Sequence, residues 1–433
     1  MNSKQRRTFL ILFLIGAVYF ALFIVPNTYG ARSEAILLDA SADEHVTYPN
    51  VLRILTPGTT FNEWRANLFL YEDYHYGYPF YAFSALVLLP ARLIAGEAFY
   101  SNMQMNMLLL RQFISLLPMV LAAGLMVWVQ TRFEPTWKAV ALFVFLLTVR
   151  GIMRNHIWWW HPDALAVLFV ALTIFFLDRD NLRIGRNFYL AALVCGLAVS
   201  IKLLGFFFFL TIPAYLLYGL WKKHITLPRA LLAGALFVVI MMATAILTNP
   251  WIFSDDQRAR AIAIQQEKSH ELAFGYEHDD PLYYSKGPRW WVSTLELWYA
   301  HPVFLMFLLG SVIVGSIWGP RKLANRIILT WVVPYSIYLL YFVAVKPDHY
   351  WLPVMLPLFS SAFILLDLLL EKSASWRGAF LSRSHWLEKA ALVAVVTILT
   401  MQVVLNIARP VSGFVSIYKG AIDRGIVQIE TIR

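Results

Sequence analysis

The stretch DASADEHVTYPNVLRILTPGTTFNEWRANLFLYEDYHYGYPFY, residues 39–81, lies between two strongly apolar segments. Only 14% of the chain is charged, yet this stretch concentrates acids and histidines: Asp39, Asp43, Glu44, Glu63, Glu72, Asp73, His45 and His75. A solvated connecting loop has such a composition. An active site on the outer face of a membrane protein has it too, and composition alone leaves both interpretations open.

The composition of the whole chain is that of a protein embedded in lipid. Of its 433 residues, 59% are hydrophobic, whereas soluble domains are about half apolar. The apolar segments are Thr8–Val25, Tyr78–Ala95, Leu108–Val129, Ala139–Val149, Ala164–Leu177, Phe188–Ile201, Leu204–Leu220, Ala230–Leu247, Pro302–Trp318, Ile327–Val345, Leu352–Leu370 and Ala390–Ile407. Runs of roughly 17–25 apolar residues cross a hydrocarbon core as helices. The sequence therefore predicts an all-α polytopic membrane protein.

The net charge of +10 does not indicate nucleic-acid binding, because the lysines and arginines are scattered among short loops. Such loops attract the phospholipid of the cytoplasmic leaflet and set the orientation of the protein. Cys195 is the one cysteine and lies in an apolar segment, which excludes a disulfide framework and a cysteine-rich metal site. We expect membrane lipid, and no nucleic acid, as a partner.

The distribution of basic residues predicts which loops are cytoplasmic. The sequence MNSKQRR precedes an apolar run without a small-residue cleavage site, so we expect a retained first helix with a cytoplasmic N-terminus. The loops predicted on the same side are Arg132–Lys138, Arg179–Arg186, Lys222–Arg229, Arg321–Arg326 and Lys372–Lys389. The acidic first loop, the loop around His161–Asp163, the turn at Lys202, the Pro250–His301 loop and the Lys346–Tyr350 turn then face outward.

Twelve full spans would place Arg132–Lys138 on the wrong side. Treating either Tyr78–Ala95 or Leu108–Val129 as tilted, re-entrant or short returns every later basic loop to the cytoplasm. We therefore expect eleven spans rather than twelve. The domain prediction is one membrane domain over residues 1–408, with a helical first outer loop at 27–77, a second outer loop at 249–301 and a polar external tail at 409–433.

Several polar residues gather on the predicted outer face. A charge at the lipid midplane costs several kcal/mol, so such residues face a cavity or lie near a helix end. Lys202 lies in the run VSIKLLGFFFF, where a lysine either snorkels to the interface or serves a site. Asp163 follows Pro162 at the start of a helix, where it caps the helix, takes part in chemistry, or does both. Lys346 and His349 begin the last apolar hairpin.

Aromatic residues and missing motifs add two observations. Trp158–Trp160, Trp290–Trp291 and Trp351 lie near predicted outer boundaries, where tryptophan belts are common and where sugar rings also stack. The chain has no glycine-rich phosphate loop, GxSxG elbow or HExxH pair. Its histidines are spread out, which argues against a histidine-rich metal site. No inverted pair of helices broken by glycine or proline is evident, which argues against a transporter.

Six segments, spread over about residues 1–370, resemble GT-C membrane glycosyltransferases. DASADEHVTYPNVLRIL is similar to the first outer loop of the protein O-mannosyltransferases and aminoarabinose transferases, which carry an Asp-Glu pair ahead of a juxtamembrane helix. The others, in the expected order, are YGYPFYAFSALVLLPARLIAGE, WHPDALAVLFVALTIFFL, CGLAVSIKLLGFFFFLTIP, TNPWIFSDDQ and KPDHYWLPVMLPL. One departure is clear: where aminoarabinose transferases have Lys-Pro-Pro, this chain has His75-Tyr76-Gly77-Tyr78-Pro79.

The resemblance implies a GT-C helical bundle that transfers a sugar from a polyprenyl-phosphate donor to an acceptor hydroxyl outside the cytoplasm. It implies Asp43 as the general base, with Glu44 and Asp163 positioning acceptor or donor. Because the family's lysine is missing, the phosphate ligands are expected among Lys202, His75, His349 and Lys346. The residues expected to contact acceptor or sugar are Glu72, Asp73, Tyr78 and Trp160.

The expected setting is the outer face of a bacterial cytoplasmic membrane, with a glycan, lipid or protein acceptor and inversion at the anomeric carbon. So many acids are compatible with a divalent cation, although no spacing demands one. The alternative function is a transporter or flippase of lipid-linked sugars that uses the same outer cavity. It needs polar groups at the membrane midplane, and few are evident. A non-catalytic scaffold leaves the acidic loop unexplained.

Overall fold

The computed structural model describes residues 1–34, 36–37, 42–71, 73–275, 284–374 and 386–424. These residues form helices and connecting loops, and no strand occurs among them. The first half of the chain contains α1 Ser3–Leu22, α2 Ile24–Tyr29, α3 Ala42–Ile54, α4 Phe61–Phe69, α5 Tyr78–Ala95, α6 Met103–Leu110, α7 Leu117–Thr131, α8 Thr136–Thr148, α9 Arg150–Arg154 and α10 Asp163–Asp180.

The second half contains α11 Arg186–Lys202, α12 Thr211–Trp221, α13 Leu227–Leu247, α14 Asp255–Phe274, α15 Pro288–Trp298, α16 Pro302–Ile317, α17 Lys322–Phe342, α18 Leu352–Phe359, α19 Ile364–Ala374 and α20 Trp386–Arg424. A π-helical turn, Arg111–Leu116, joins α6 to α7. Short 3₁₀ turns occupy Gly96–Phe99, Leu204–Phe209, Pro250–Phe253 and Asp348–Trp351. The predicted all-α fold class is confirmed.

Within the described ranges, eight helical segments are long and apolar enough to cross a membrane, or nine if the bent pair α15–α16 is one span. This is fewer than the eleven or twelve spans predicted. Three of the predicted segments explain the difference: α8 has 13 residues, α11 has 17, and α10 carries four charged residues in its 18. The chain is an integral, multi-pass membrane protein, while its number of spans stays a prediction.

Both ends of helix α5 lie near segments that the sequence places on the outer face. At its start, the Gly77 amide donates to the carbonyl oxygen of Ile201 at 3.1 Å, beside Lys202. Just beyond its end, the Tyr100 hydroxyl donates to Leu55 O at 3.3 Å, in the first outer loop. Gln104, in the following helix, donates to Thr28 O near the outer end of the first span. These contacts agree with the prediction that one of Tyr78–Ala95 and Leu108–Val129 does not cross.

Helix α10 is the core of the bundle. Its 18 residues extend about 27 Å, close to the ~30 Å of a hydrocarbon core, and most of its side chains are buried on every face. It packs against α7, α11, α17 and α18. Alanines at 164, 166 and 171 permit close approach of these neighbours, as small residues do at membrane helix interfaces. A polar cluster at either end of α10 is therefore held by several helices.

The C-terminal helix α20 has 39 residues and is continuous across the domain boundary predicted at residue 408. Near its end, the Tyr418 hydroxyl donates to Leu22 O at 2.6 Å, at the end of α1. Residues 409–424 of the predicted tail are thus helical, and residues 425–433 lie outside the described part.

Candidate active site

Asp163 begins α10 and is the centre of a polar cluster. Its carboxylate forms an ion pair with Lys202 Nζ, and its Oδ2 lies 2.7 Å from His161 Nδ1 and 3.9 Å from His349 Nε2. The side chain is 3% exposed. The helix-capping position belongs to Pro162, and no side-chain capping bond is present. Asp163 therefore does not act as an N-cap; it anchors three side chains from separate segments.

Lys202 is fixed because it is the last residue of α11. The helix ends there, since Leu203 has a left-handed backbone with φ of 57°. A Cβ at Gly77 would overlap the carbonyl oxygen of Ser200, so only glycine lets the first outer loop approach the end of α11 this closely. Asn249 donates to Ser200 Oγ at 2.6 Å and accepts from the Tyr78 amide at 2.9 Å. The ends of α11, α13 and α5 are thus tied together.

His161 connects Asp163 to an aromatic wall. Its Nε2 lies 2.7 Å from the Tyr76 hydroxyl, and its ring stacks on Trp159 at 4.3 Å between centroids. The His349 ring lies 5.3 Å away. Burial lowers the pKa of His161, and the Asp163 carboxylate opposes this only in part. The imidazole is therefore neutral at pH 7 and can donate or accept a proton.

Asp43 supplies an accessible carboxylate beside this cluster. It lies in the first turn of α3, its side chain is 57% exposed, and its Oδ2 is 3.9 Å from His161 Nε2. Asp163, by contrast, is enclosed by its cationic and imidazole partners. Of the two aspartates, Asp43 is the one that a substrate can reach.

Glu44, the neighbour of Asp43, is fully buried. Its carboxylate accepts from Arg111 Nε at 2.9 Å and from the Trp160 amide. Arg111 lies in the π-helical turn, a feature frequent at functional sites, and also donates to the carbonyl oxygen of Asn27 at 3.0 Å. Glu44 thus holds α3 and the loop that contains Trp158–Trp160 in place. Its predicted positioning role stays a prediction, and this burial restricts it to acting through neighbouring residues.

Trp160, which the sequence predicts to contact a sugar, is enclosed by its neighbours. Its side chain is 1% exposed, stacks on Phe80 at 5.0 Å and donates to Ser84 Oγ at 3.0 Å. Its contact with a sugar stays a prediction, which this burial does not support. The adjacent Trp159 is half-buried and lies between His161 and His349, 4.8 Å from the latter.

The other predicted site residues of the first loop differ in their contacts and exposure. Asp73 accepts hydrogen bonds from Tyr81 Oη and His75 Nδ1, each at 2.7 Å. Burial raises the pKa of Asp73, but these hydrogen bonds outweigh it and lower the pKa overall. Tyr78 uses its hydroxyl to bond Leu68 O at 2.7 Å, a structural contact. His75 is exposed, and Glu72 lies outside the described residues.

Lys346 is not brought to the cluster. Its Nζ donates to Ala344 O and lies 4.9 Å from the centroid of the Trp291 ring. Burial lowers the pKa of Lys346 to about 8. Its predicted contact with a donor phosphate finds no support in this arrangement, whereas Lys202 and His349 both lie against Asp163.

A residue that was not predicted, Lys268, joins the cluster from α14 in the second outer loop. Its Nζ donates to His75 O at 3.2 Å and lies 4.7 Å from the centre of the Tyr76 ring. Burial and the nearby Lys202 ammonium lower the pKa of Lys268 to about 8. Sequence reasoning missed it because α14 is rich in charged residues of both signs. Tyr350, whose ring centre is 5.2 Å from Lys202 Nζ, was missed too.

The cluster therefore combines an accessible carboxylate, cationic or imidazole groups and an aromatic wall: Asp43, Asp163, Lys202, Lys268, His161, His349, Tyr76, Trp159 and Tyr350. Among the described residues, no group of three or more histidine, cysteine or acidic side chains is arranged to hold a metal ion. Proton transfer to Asp43 and stabilisation of a leaving anion by the lysines are the reactions that these groups can support.

No protein-family model matches the chain, and no curated protein matches its sequence. Among solved structures, the chain is similar to the oligosaccharyltransferase of Archaeoglobus fulgidus in its apo form, with a TM-score of 0.52 and 13% sequence identity. The match covers 91% of this chain and 55% of the archaeal one, so the chain spans about half the length of that protein. This likeness confirms the predicted GT-C-type fold.

Proposed function

We propose that the protein is a glycosyltransferase that moves a sugar from a polyprenyl-phosphate donor to an acceptor hydroxyl. The observation that carries the proposal is the exposed carboxylate of Asp43, held 3.9 Å from His161 at the edge of the Asp163 cluster. The fold of an oligosaccharyltransferase agrees with it. A donor with a lipid tail also fits a helical bundle, because such a donor enters sideways from the bilayer.

Asp43 acts as the general base in this proposal. The acceptor hydroxyl attacks the anomeric carbon, its oxygen forms the new bond, and its proton goes to the Asp43 carboxylate. The bond from the anomeric carbon to the donor phosphate breaks, and the phosphate leaves with the electron pair. A single displacement of this kind inverts the anomeric centre.

The leaving phosphate is stabilised by fixed cations. Lys202 forms an ion pair with Asp163, which orients its ammonium group and partly neutralises its charge. Among the described residues, Lys268 forms no ion pair with an acid, and it adds a second positive charge beside Tyr76. His349, 3.9 Å from Asp163, adds a hydrogen-bond donor. Preorganised donors of this kind act where charge develops in the transition state.

The sugar is proposed to stack on Trp159, with Tyr350 beside it. Trp159 is half-buried and presents its ring between two imidazoles. The outer face of a bacterial cytoplasmic membrane is the proposed location, in agreement with the basic residues of the N-terminus. The acceptor is a glycan, lipid or protein hydroxyl.

Mass spectrometry of lipid-linked sugars and cell-envelope glycans tests this function in cells with and without the protein. The expected result is accumulation of one polyprenyl-phosphate sugar and loss of one sugar from one glycan, lipid or protein. Complementation with wild-type protein restores the sugar, and complementation with Asp43→Asn protein does not. An unchanged glycan profile, or full restoration by Asp43→Asn, contradicts the proposal.

A further inference from the structure

A second polar site lies at the other end of α10. A cavity of about 390 Å³ opens there between the end of α10, the loop after α7 and the start of α17. The residues that line it are Trp128, Arg132, Asp178, Arg179, Asn181, Arg183, Pro320, Arg321, Lys322, Leu323 and Ala324. None of them belongs to the Asp163 cluster.

Positive charge exceeds negative charge in this cavity. Five cationic side chains line it with one acid, Asp178, whose Oδ2 lies 2.5 Å from Arg132 Nη2. A second acid nearby, Asp180, is used by its own loop, because it accepts from the amides of Ile184 and Gly185 at 2.9 and 2.8 Å. In the described part of the chain, no acid forms an ion pair with the other four cations: Arg179, Arg183, Arg321 and Lys322.

One donor in the cavity lacks an acceptor. Arg132 Nη1 is buried and makes no hydrogen bond among the described residues. A buried donor without an acceptor has lost its hydrogen bond to water without replacement, which is unfavourable. An anion in the cavity would supply the missing acceptor.

The loops that carry Arg132 and Arg183 have unusual backbone conformations. Arg132 and Phe133 have φ of 52° and 63°, and Asn181, Leu182 and Ile184 have φ of 50°, 63° and 51°. Non-glycine residues in this left-handed region are uncommon and cluster at functional sites. The Tyr215 hydroxyl, which donates to Asp180 at 2.8 Å and to Leu177 O at 3.2 Å, helps to fix the second loop.

This cavity lies on the same side of the bundle as the basic N-terminus. Asn2 donates to Glu134 Oε1 at 2.7 Å, and Gln5 donates to the carbonyl oxygen of Arg132 at 3.2 Å. The positive-inside rule assigns this side to the cytoplasm. Basic pockets between membrane helices on that side bind phosphate-bearing head groups.

We propose that the cavity lined by Arg132, Arg179, Arg183, Arg321 and Lys322 binds a phosphate group at the cytoplasmic face. The phosphate belongs either to the head group of an anionic phospholipid or to a soluble phosphate compound, since both present the same oxygen acceptors. Arginine suits this role because its planar guanidinium matches phosphate geometry. The site is independent of the glycosyl-transfer proposal, because none of its residues is used there.

The test measures binding of three probes to the purified full-length protein in neutral detergent. The probes are dioctanoyl phosphatidylglycerol, inorganic phosphate and dioctanoylglycerol, which has no phosphate. The variant R183Q/R321Q removes two cations that form no ion pair with a described acid, and R179Q/K322Q serves if the first variant does not fold. K4Q/K223Q is the matched control, because it removes two basic residues from the same predicted face outside the cavity.

The expected result is binding of the phosphatidylglycerol but not of dioctanoylglycerol, weakened about tenfold or more in the cavity variant and less than about twofold in the control. Binding of inorganic phosphate with the same loss identifies a soluble phosphate as the ligand, and binding of phosphatidylglycerol alone identifies a lipid. Equal affinity of wild type and both cavity variants, or equal binding of dioctanoylglycerol, overturns the proposal.

Discussion

The two ends of α10 carry opposite kinds of polar site. At one end, the buried acid Asp163 is balanced by a lysine and two histidines, next to an accessible carboxylate. At the other end, Asp178 pairs with one arginine while four more cations line the same cavity. The first site is nearly balanced in charge and contains imidazoles, whereas the second is strongly positive and contains none among its lining residues.

This difference separates two tasks. A group that takes a proton during a reaction needs neighbours that hold its geometry without saturating its charge, which is the role proposed for His161 beside Asp43. A site that only binds an anion needs unpaired donors. One helix about 27 Å long can fix both sites because it is packed on all sides.

The largest expected effect is a difference in transfer activity between variants at the two ends of α10. Asp43→Asn keeps the shape of the side chain but cannot accept a proton, so transfer should fall by ~10²–10⁴-fold while donor binding is kept. Asp178→Asn, at the other end, should leave transfer per folded molecule unchanged. Transfer rates and donor affinities of the purified variants decide this. A larger loss in Asp178→Asn, or in Glu44→Gln, would break the comparison.

The next effect concerns stability at the balanced end. Lys202→Met leaves the Asp163 carboxylate buried without its cation, which is expected to destabilise the fold by about 3–5 kcal/mol. R183Q, in the positive cavity, removes an exposed cation that forms no ion pair among the described residues, and it should change stability by less than about 0.5 kcal/mol. Thermal unfolding in detergent measures both. Similar stability of the two variants would show that the Asp163–Lys202 pair is not an anchor.

A smaller effect distinguishes adjacent tryptophans. Trp160→Ala empties a buried core position and should lower stability by about 3–5 kcal/mol, with activity per folded molecule retained. Trp159→Ala should instead weaken use of the sugar donor by about 5–100-fold through lost stacking. Unfolding temperatures and donor KM values distinguish the two variants. A raised donor KM in Trp160→Ala, with an unchanged KM in Trp159→Ala, would instead make Trp160 the sugar contact.

The smallest effect is a pH dependence. The pKa of Lys268 is lowered to about 8 by burial and by Lys202, so its ammonium is charged below that pH and is lost as pH rises through it. Donor kcat/KM should therefore fall above about pH 8, by up to tenfold per unit. Lys268→Arg should remove this fall, since arginine stays charged.

Lys346 provides the control for this profile. Burial lowers its pKa to about 8 as well, but its ammonium contacts Ala344 and Trp291 rather than the cluster. Lys346→Arg should therefore leave the fall above pH 8 in place. Removal of the fall by Lys346→Arg alone would instead make Lys346 the phosphate ligand that the sequence predicts.

The sequence predicts the fold class, which is confirmed, and it indicates part of the candidate site. Apolar runs predicted the helical bundle, and the isolated charges Asp163 and Lys202 indicated a polar cluster because charge is rare in such segments. His349 was found on the same grounds. The GT-C-type fold came from a resemblance carried by short motifs in order, and the structural likeness confirms it.

Other features could not be read from the sequence. Lys268 enters the cluster through the placement of a charged outer helix, which has no apolar period to fix its orientation. Trp159 and Trp160 are adjacent, and only packing decides that Trp160 turns to Phe80 and Ser84. The number of spans stays a prediction, because the short helix α8 and the charged helix α10 do not have the length and composition of a span by themselves.

Sugar transfer by the reconstituted protein is the decisive measurement for the proposed role of Asp43. Wild-type and Asp43→Asn proteins are placed in vesicles that contain a labelled polyprenyl-phosphate sugar and an extract of candidate acceptors on the side of Asp43. The account predicts that wild type moves the label covalently to an acceptor and releases polyprenyl phosphate, and that Asp43→Asn does so ~10²–10⁴-fold more slowly. Movement of the intact labelled lipid between leaflets, with no bond broken and no effect of Asp43→Asn, would contradict it.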